Sequence, residues 1–251
     1  MVFQEFHLTV THAAPARYSP TEFESAVLTL HPTTAIFDCD GTLWSGDAGY
    51  GFMVWSIEAG LVSRNASDWI DSRYRLYLNG QVSEAEMCGE MVQLYAGLQE
   101  SELRHAAADY FRSHIEPHIF PEMQGLVAKL RAQGADIWAV SSTNNWVIEE
   151  GVQRFGIPSS RVLAAQVKVL DGRITSNLID VPSGDGKSDA LCRAGIDRPD
   201  AVFGNSIHDA SMLRMAKRAF PVNPTPALLE IAGDHGWSVF YPAAMLADTK
   251  L

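Results

Sequence analysis

Thr33-Thr34-Ala35-Ile36-Phe37-Asp38-Cys39-Asp40-Gly41-Thr42 is the stretch on which the fold turns. β-Branched and apolar residues run to Phe37 and are followed at once by two carboxylates, a glycine and a hydroxyl. A short unbroken apolar run of this kind predicts a buried parallel strand that delivers polar groups at its C-terminal edge. Side chains alternate across a strand, so Cys39 is predicted to point away from Asp38 and Asp40 and to pack as a core thiol. Two carboxylates separated by one residue at a buried edge are costly without a cation. A turn or helix cap, the bland alternative, leaves that cost unexplained.

Outward from this strand the pattern changes. Four helices are predicted at about 47–60, 65–79, 83–97 and 100–114, broken by Gly60, Asn79-Gly80 and Gly97. So much helix between two strands exceeds a crossover and reads as an insert. After Pro117, strand and helix alternate again: a helix at 121–133, a strand at 136–141 and a helix at 144–155 closed by Gly156. Asp171-Gly172 between 167–170 and 173–175 is a hairpin signal. Short strands follow at 201–204, 219–222 and 237–240. The expected fold is α/β, a doubly wound and mostly parallel sheet with an inserted α-helical domain. The core is placed at 1–44 and 116–251, with residues 1–30 as a peripheral extension holding a short helix at 21–30. The insert is 45–115.

Composition narrows the function classes. The chain has 251 residues, 47% hydrophobic and 20% charged, with 30 acids against 19 bases and a formal net charge of −11. No basic patch suits a nucleic-acid backbone, so a nucleic-acid partner is not expected. Three dispersed cysteines argue against a disulfide framework or a cysteine zinc site and for a reducing compartment. No signal peptide and no run of about 18 apolar residues is evident, so the expectation is a cytoplasmic protein without a membrane partner.

Further polar clusters sit where such a sheet ends or a helix begins: Ser141-Ser142-Thr143, Lys187 in Gly186-Lys187, and Asn205-Ser206 with Asp209. In a parallel sheet they can converge on one rim. Together, Asp38-x-Asp40-Gly41-Thr42-Leu43, Ser141, Gly186-Lys187 and Gly204-Asn205-Ser206-Ile207-His208-Asp209 resemble, in order, the four motifs of the haloacid dehalogenase superfamily. The helical insert is similar to the cap of its phosphoserine-phosphatase-like branch, and the resemblance covers about residues 33–240.

The resemblance implies a Mg2+-dependent phosphatase acting on a small phosphorylated metabolite. Asp38 would attack phosphorus to form an aspartyl-phosphate. Asp40 would protonate the leaving alcohol and then activate water. Ser141 and Lys187 would hold the phosphoryl oxygens, with Gly41, Thr42 and Ser142 also on the substrate side. Magnesium would be held by Asp38, Asp40, Asn205 and Asp209. Asn205 departs from the family's usual aspartate, which predicts weaker Mg2+ binding and more load on Asp209. A phosphotransferase, and a catalytically weak binding protein on the same fold, remain alternatives; Asp40 speaks against dehalogenation. His208 in this turn reads as structural more than as a ligand.

Asp47 falls where phosphoserine phosphatases receive the substrate's amino group; its alternative is the N-terminal charge of the first inserted helix. Those enzymes also use an arginine of the third-helix region, and Ser83-Glu84-Ala85-Glu86-Met87-Cys88-Gly89-Glu90-Met91 has none. Arg73 and Arg75 are the available substitutes. Tyr50, Phe52 and Trp55 could wall the site or pack the insert. An acid beside aromatics suits a phosphorylated amino alcohol. The substrate and the oligomeric state are not legible in the sequence.

Overall fold

The structure, a computed structural model, describes residues 14–247. In chain order its elements are α1 (Pro20–Leu28), β1 (Thr34–Phe37), α2 (Ala48–Glu58), α3 (Arg64–Leu78), α4 (Glu84–Gln93), α5 (Glu100–Tyr110), α6 (Pro121–Ala132), β2 (Asp136–Asn144), α7 (Asn145–Val152), β3 (Val162–Leu170), β4 (Arg173–Asp180), α8 (Asp185–Arg193), β5 (Ala201–Gly204), α9 (Ala210–Met215), β6 (Arg218–Pro221), α10 (Pro226–His235) and α11 (Ala243–Ala247). The sheet order is β4-β3-β2-β1-β5-β6, parallel except for β4. From β1 the chain adds strands on one side, then crosses to β5 and β6 on the other. β1 and β5 therefore flank the switch point, whose C-terminal edge is where ligands bind in open α/β sheets.

Register beneath that edge is fixed by side chains. Phe37 pairs with Phe203 and Phe203 with Phe220 across β1, β5 and β6. Their rings stack at 4.2 and 5.1 Å between centroids. A one-residue slip would send this row to the opposite face. The alternation also divides the core: Ala35 and Phe37 face the larger apolar cluster, and Ile36 joins Trp138, Val140 and Val202 in the other. Cys39 is buried in the larger cluster, as the alternation predicts.

Between β1 and β2 lie α2 to α5, the predicted helical insert. Asp47, Ser63 and Ser83 cap α2, α3 and α4, and Ser83 and Glu86 form a reciprocal capping box. After α5 the chain continues as a π-helical turn, Phe111–Ile115, rather than as α-helix to 114. Backbone hydrogen bonds join the insert to the core at two places. At the neck, Phe120 N donates to Leu43 O and Ser45 N to His118 O, each at 3.0 Å. At the far end, Gly97 N donates to Ile174 O (2.8 Å), Ile174 N to Leu98 O (2.9 Å) and Glu100 N to Gly172 O (2.8 Å). These bonds fasten the α4–α5 loop to the tip of the β3–β4 hairpin.

Other expectations change as well. The hairpin strands are longer than predicted, and β2 runs to Asn144, so Ser141, Ser142 and Thr143 lie within the strand, at a register shift against β3. Residues 237–240 form no strand; Val239 and Phe240 make isolated bridges to Arg17 and Val222. The helix at 144–155 ends as α-helix at Val152 and finishes in a 3₁₀ turn before left-handed Gly156. The stretch 1–30 is less peripheral than expected: Phe23 of α1 is buried and stacks on Phe240 at 4.1 Å. Its first 13 residues lie outside the described ones. Among the described residues, no helix is long and apolar enough to cross a membrane.

Candidate active site

Asp38 is the first residue beyond β1, and its backbone N–H still donates to Phe203 O (2.9 Å), continuing the ladder with β5. One carboxylate oxygen, Oδ1, receives Lys187 Nζ at 2.7 Å; the other, Oδ2, receives Thr42 Oγ1 at 2.8 Å. Lys187 comes from the first turn of α8 and is 2% exposed. Its ammonium also donates to Asp209 Oδ1 (2.6 Å) and Val140 O (3.4 Å). Asp209 Oδ2 in turn accepts from the backbone N–H groups of Asn205 (2.8 Å) and Ser206 (2.9 Å). Gly204 allows this approach, since a Cβ there would lie 2.6 Å from Asp209 Cβ.

Two buried carboxylates thus share one ammonium. Burial, and next Asp209, push Asp38 up to about 7, while Lys187 pulls it back. Burial opposes the charge on Lys187, but Asp209 and Asp38 together outweigh it and raise its pKa.

Asp40 is held by donors on both oxygens. Oδ1 accepts from Trp44 Nε1 (2.7 Å) and Ala48 N (2.8 Å), and Oδ2 from Thr143 Oγ1 (2.8 Å). Burial, followed by Asp47, pushes its carboxyl up to about 6 against these hydrogen bonds. Ser141 is 2% exposed and its Oγ accepts from Thr143 N (3.1 Å). Ser142 Oγ donates to Glu84 Oε1 (3.2 Å) on α4.

Asp38, Asp40 and Asn205 line one cavity at this rim. Gly41 has φ +78°, and a Cβ there would lie 1.8 Å from Asn205 Nδ2, so the Asn205 side chain is seated directly against the Asp38–Thr42 loop. An Asp38 carboxylate, the Asp40 main-chain carbonyl and an Asn205 amide carbonyl make an oxygen set of the kind Mg2+ prefers. Asp209, expected among the Mg2+ ligands, has both oxygens engaged by N–H donors, Lys187 among them. Among the described residues, no three His, Cys, Asp or Glu side chains gather as a metal site.

Asp38, Asp40, Asp47, Ser141, Ser142, Lys187 and Asn205 all line one cavity of about 280 Å³. Thr42 and Asp209 sit behind its wall. Asp47 caps α2 through Tyr50 N (2.8 Å), as the alternative reading expects, and also lines the cavity. Burial raises its pKa. The aromatics divide: Tyr50 lines the cavity and stacks on Tyr74 at 4.6 Å, whereas Phe52 and Trp55 pack with Tyr110. Arg73 is held by both oxygens of Glu90 (2.7–2.8 Å), Arg75 is exposed, and neither reaches the cavity. Glu84 reaches it instead and pairs with His208, whose pKa this hydrogen bond raises.

Sequence reasoning missed Trp44, Thr143 as a partner of Asp40, Glu84, and the wall of Tyr74, Tyr77, Met87, Cys88 and Met91. Trp44, four residues after Asp40 in a tight loop, carried a spacing signal. The wall residues carried none, because their meeting depends on how the insert packs.

The family model described as haloacid dehalogenase-like hydrolase matches residues 35–214. A protein of Neisseria meningitidis serogroup C (strain 8013) named "Histidinol-phosphatase" is 28% identical over 216 residues, covering 82% of this chain and 96% of its own. A solved structure of a protein with unknown function from Bordetella pertussis Tohama I superposes with a TM-score of 0.74 at 24% identity, over 82% of this chain and 97% of that one. A substrate-bound phosphoserine phosphatase superposes with a TM-score of 0.57 at 16% identity, over 84% and 92%. These two likenesses establish the fold.

Proposed function

The chain belongs to the haloacid dehalogenase-like hydrolase family, and we propose that this phosphoric monoester hydrolase is Mg2+-dependent, works through an aspartyl-phosphate on Asp38, and acts on a small phosphorylated amine. The observation that carries the reading is the buried Asp38 with Lys187 on one oxygen, Thr42 on the other and Asp40 two residues on. Asp38 Oδ attacks phosphorus, the ester P–O bond breaks, and Asp40 gives its proton to the departing oxygen. Asp40 then takes a proton from water as the acyl-phosphate is hydrolysed. Lys187 and the Ser141 hydroxyl hold phosphoryl oxygens, and Asp209 aims Lys187.

Asp38, the Asp40 carbonyl and Asn205 would hold Mg2+, which supplies positive charge that keeps Asp38 ionised and offsets charge on the phosphoryl group. That charge addresses a specific problem. Burial raises both carboxyls, Asp38 to about 7 and Asp40 to about 6, whereas the chemistry needs Asp38 ionised while Asp40 is protonated.

The substrate reading rests on the wall. Asp47 and Glu84 face the cavity with Tyr50, Tyr74 and Tyr77, and the lining cations are Lys187, on Asp38, and His208, on Glu84. A carboxylate on the substrate would find no free partner there, while an ammonium or imidazolium would. The name of the Neisseria relative points to the same class, a phosphorylated amino alcohol. The helices 45–115 act as the cap that excludes bulk water. Phosphate release over a metabolite panel, with Asp38→Asn as blank, tests this: phosphorylated amino alcohols should exceed phosphoserine, and a preference for sugar phosphates or nucleotides refutes the substrate class.

A further inference from the structure

Asp40 has two oxygens in unlike surroundings, and the difference decides where its proton can sit. Oδ1 accepts two hydrogen bonds, from Trp44 Nε1 at 2.7 Å and Ala48 N at 2.8 Å. Indole and peptide N–H groups only donate. Both lone-pair directions of Oδ1 are therefore occupied, and that oxygen has no room for a proton. Oδ2 meets Thr143 Oγ1 at 2.8 Å. A hydroxyl can donate to the carboxylate or accept from the acid, so this contact survives either protonation state. Asp40 and Thr143 line the cavity, while Trp44 is fully buried behind them.

We infer that Trp44 is a positioning residue that confines the proton of Asp40 to Oδ2, the oxygen on the Thr143 side. The inference rests on the reading of Asp40 as the acid that protonates the leaving group. In the first step the bond from Asp38 oxygen to phosphorus forms, the ester P–O bond breaks, and the Oδ2 proton passes to the alkoxide. In the second, water gives a proton to Oδ2 as its oxygen bonds phosphorus and the acyl P–O bond breaks, returning phosphate and the Asp38 carboxylate. If the indole N–H is removed, one lone pair of Oδ1 opens and the proton can settle where it serves neither step.

The ring is built to hold this direction. Phe111 meets it edge-on at 5.2 Å between centroids, and Phe155 lies at 6.3 Å. At Gly151 a Cβ would lie 2.9 Å from the indole Cη2, so the helix α7 backbone closes the third side. Trp44 O accepts from Gly41 N (2.8 Å), which ties the tryptophan backbone to the loop of the two aspartates. Its neighbours Leu43 and Ser45 make the two neck hydrogen bonds. The residue that orients the acid therefore stands where the insert leaves the core.

The test is the leaving-group dependence of Trp44→Phe in the full chain. p-Nitrophenolate departs without a proton, whereas an alkoxide does not, and kcat/KM covers only the steps up to alcohol release. The best alkyl phosphate of the panel should lose roughly ten- to hundredfold more kcat/KM than p-nitrophenyl phosphate, the worth of one hydrogen bond to a charged group. Equal losses, or none, overturn the inference. To exclude a packing effect, benzothienylalanine placed at position 44 keeps the ring shape and replaces N–H by sulfur; it should show the same alkyl-selective loss. Asp40→Asn separates the two claims. If it shows no alkyl-selective loss, the reading of Asp40 fails. If it does and both replacements of Trp44 lower the two substrates alike, only the role of Trp44 fails.

Discussion

Replacing Lys187 by methionine should make the protein's stability strongly dependent on pH. In the parent, Nζ lies 2.7 Å from Asp38 Oδ1 and 2.6 Å from Asp209 Oδ1, with the three side chains 3%, 7% and 0% exposed. Methionine fills much of the volume but leaves two buried carboxylates without their cation. Removing one partner of a buried ion pair costs about 3–5 kcal/mol. At 2–4 °C per kcal/mol for a chain of this size, the melting temperature should fall by roughly 6–20 °C at pH 8.

The penalty has a sign that can be checked. Asp38 is already raised to about 7, chiefly by burial, and loses the group that pulls it down. A carboxyl whose folded pKa exceeds its unfolded value of about 3.9 binds more protons when folded, so its destabilisation vanishes below the unfolded value and grows as pH rises to the folded one. The variant should therefore recover about 1.4 kcal/mol per pH unit for each extra proton taken up between pH 8 and 5. Urea unfolding of both proteins at pH 5 and pH 8 measures this. A penalty equal at both values, or under about 1 kcal/mol at pH 8, would refute the view that Lys187 neutralises two buried carboxylates.

Asn205→Asp adds a charge to the oxygen set and should lower the Mg2+ concentration for half-maximal phosphate release at least about tenfold; an unchanged Mg2+ titration would sink the assignment of Asn205. Gly41→Ala meets both a φ of +78° and an Asn205 amide nitrogen 1.8 Å from the new Cβ. It should cost about 1–3 kcal/mol by thermal melting and raise the Mg2+ requirement, because Asn205 must move; a normal Mg2+ requirement would contradict the seating of Asn205 against the loop.

How far the sequence carried the site depends on the kind of contact. Asp38, Asp40, Lys187 and the 204–209 turn were legible because strand ends and a helix start place them by backbone rules alone. The helical insert was legible from its caps and glycine breaks. The partners of Asp209 were not legible: its two oxygens are claimed by Lys187 and by the N–H groups of its own turn, a partition that only side-chain geometry reveals. Glu84 stood inside the segment searched for an arginine, and its approach to Ser142 and His208 depends on α4 packing over β2. Residues 237–240 show the reverse error: Val239 and Phe240 are apolar and buried, but each makes one isolated bridge, to a different neighbour, and no ladder forms.

The fastening of the α4–α5 loop to the hairpin tip bears on how a substrate gets in. A lid hinged only at its neck can swing as one body. Here such a swing would also tear three backbone hydrogen bonds, each worth about 0.5–1.5 kcal/mol net, at the end opposite the hinge. The insert is a bridge supported at both ends. Its looser span is α3, which buries only Ile70 fully yet carries Tyr74 and Tyr77 to the cavity wall. A displacement of that one helix would disturb neither anchorage and would leave Trp44 and Asp40 in register.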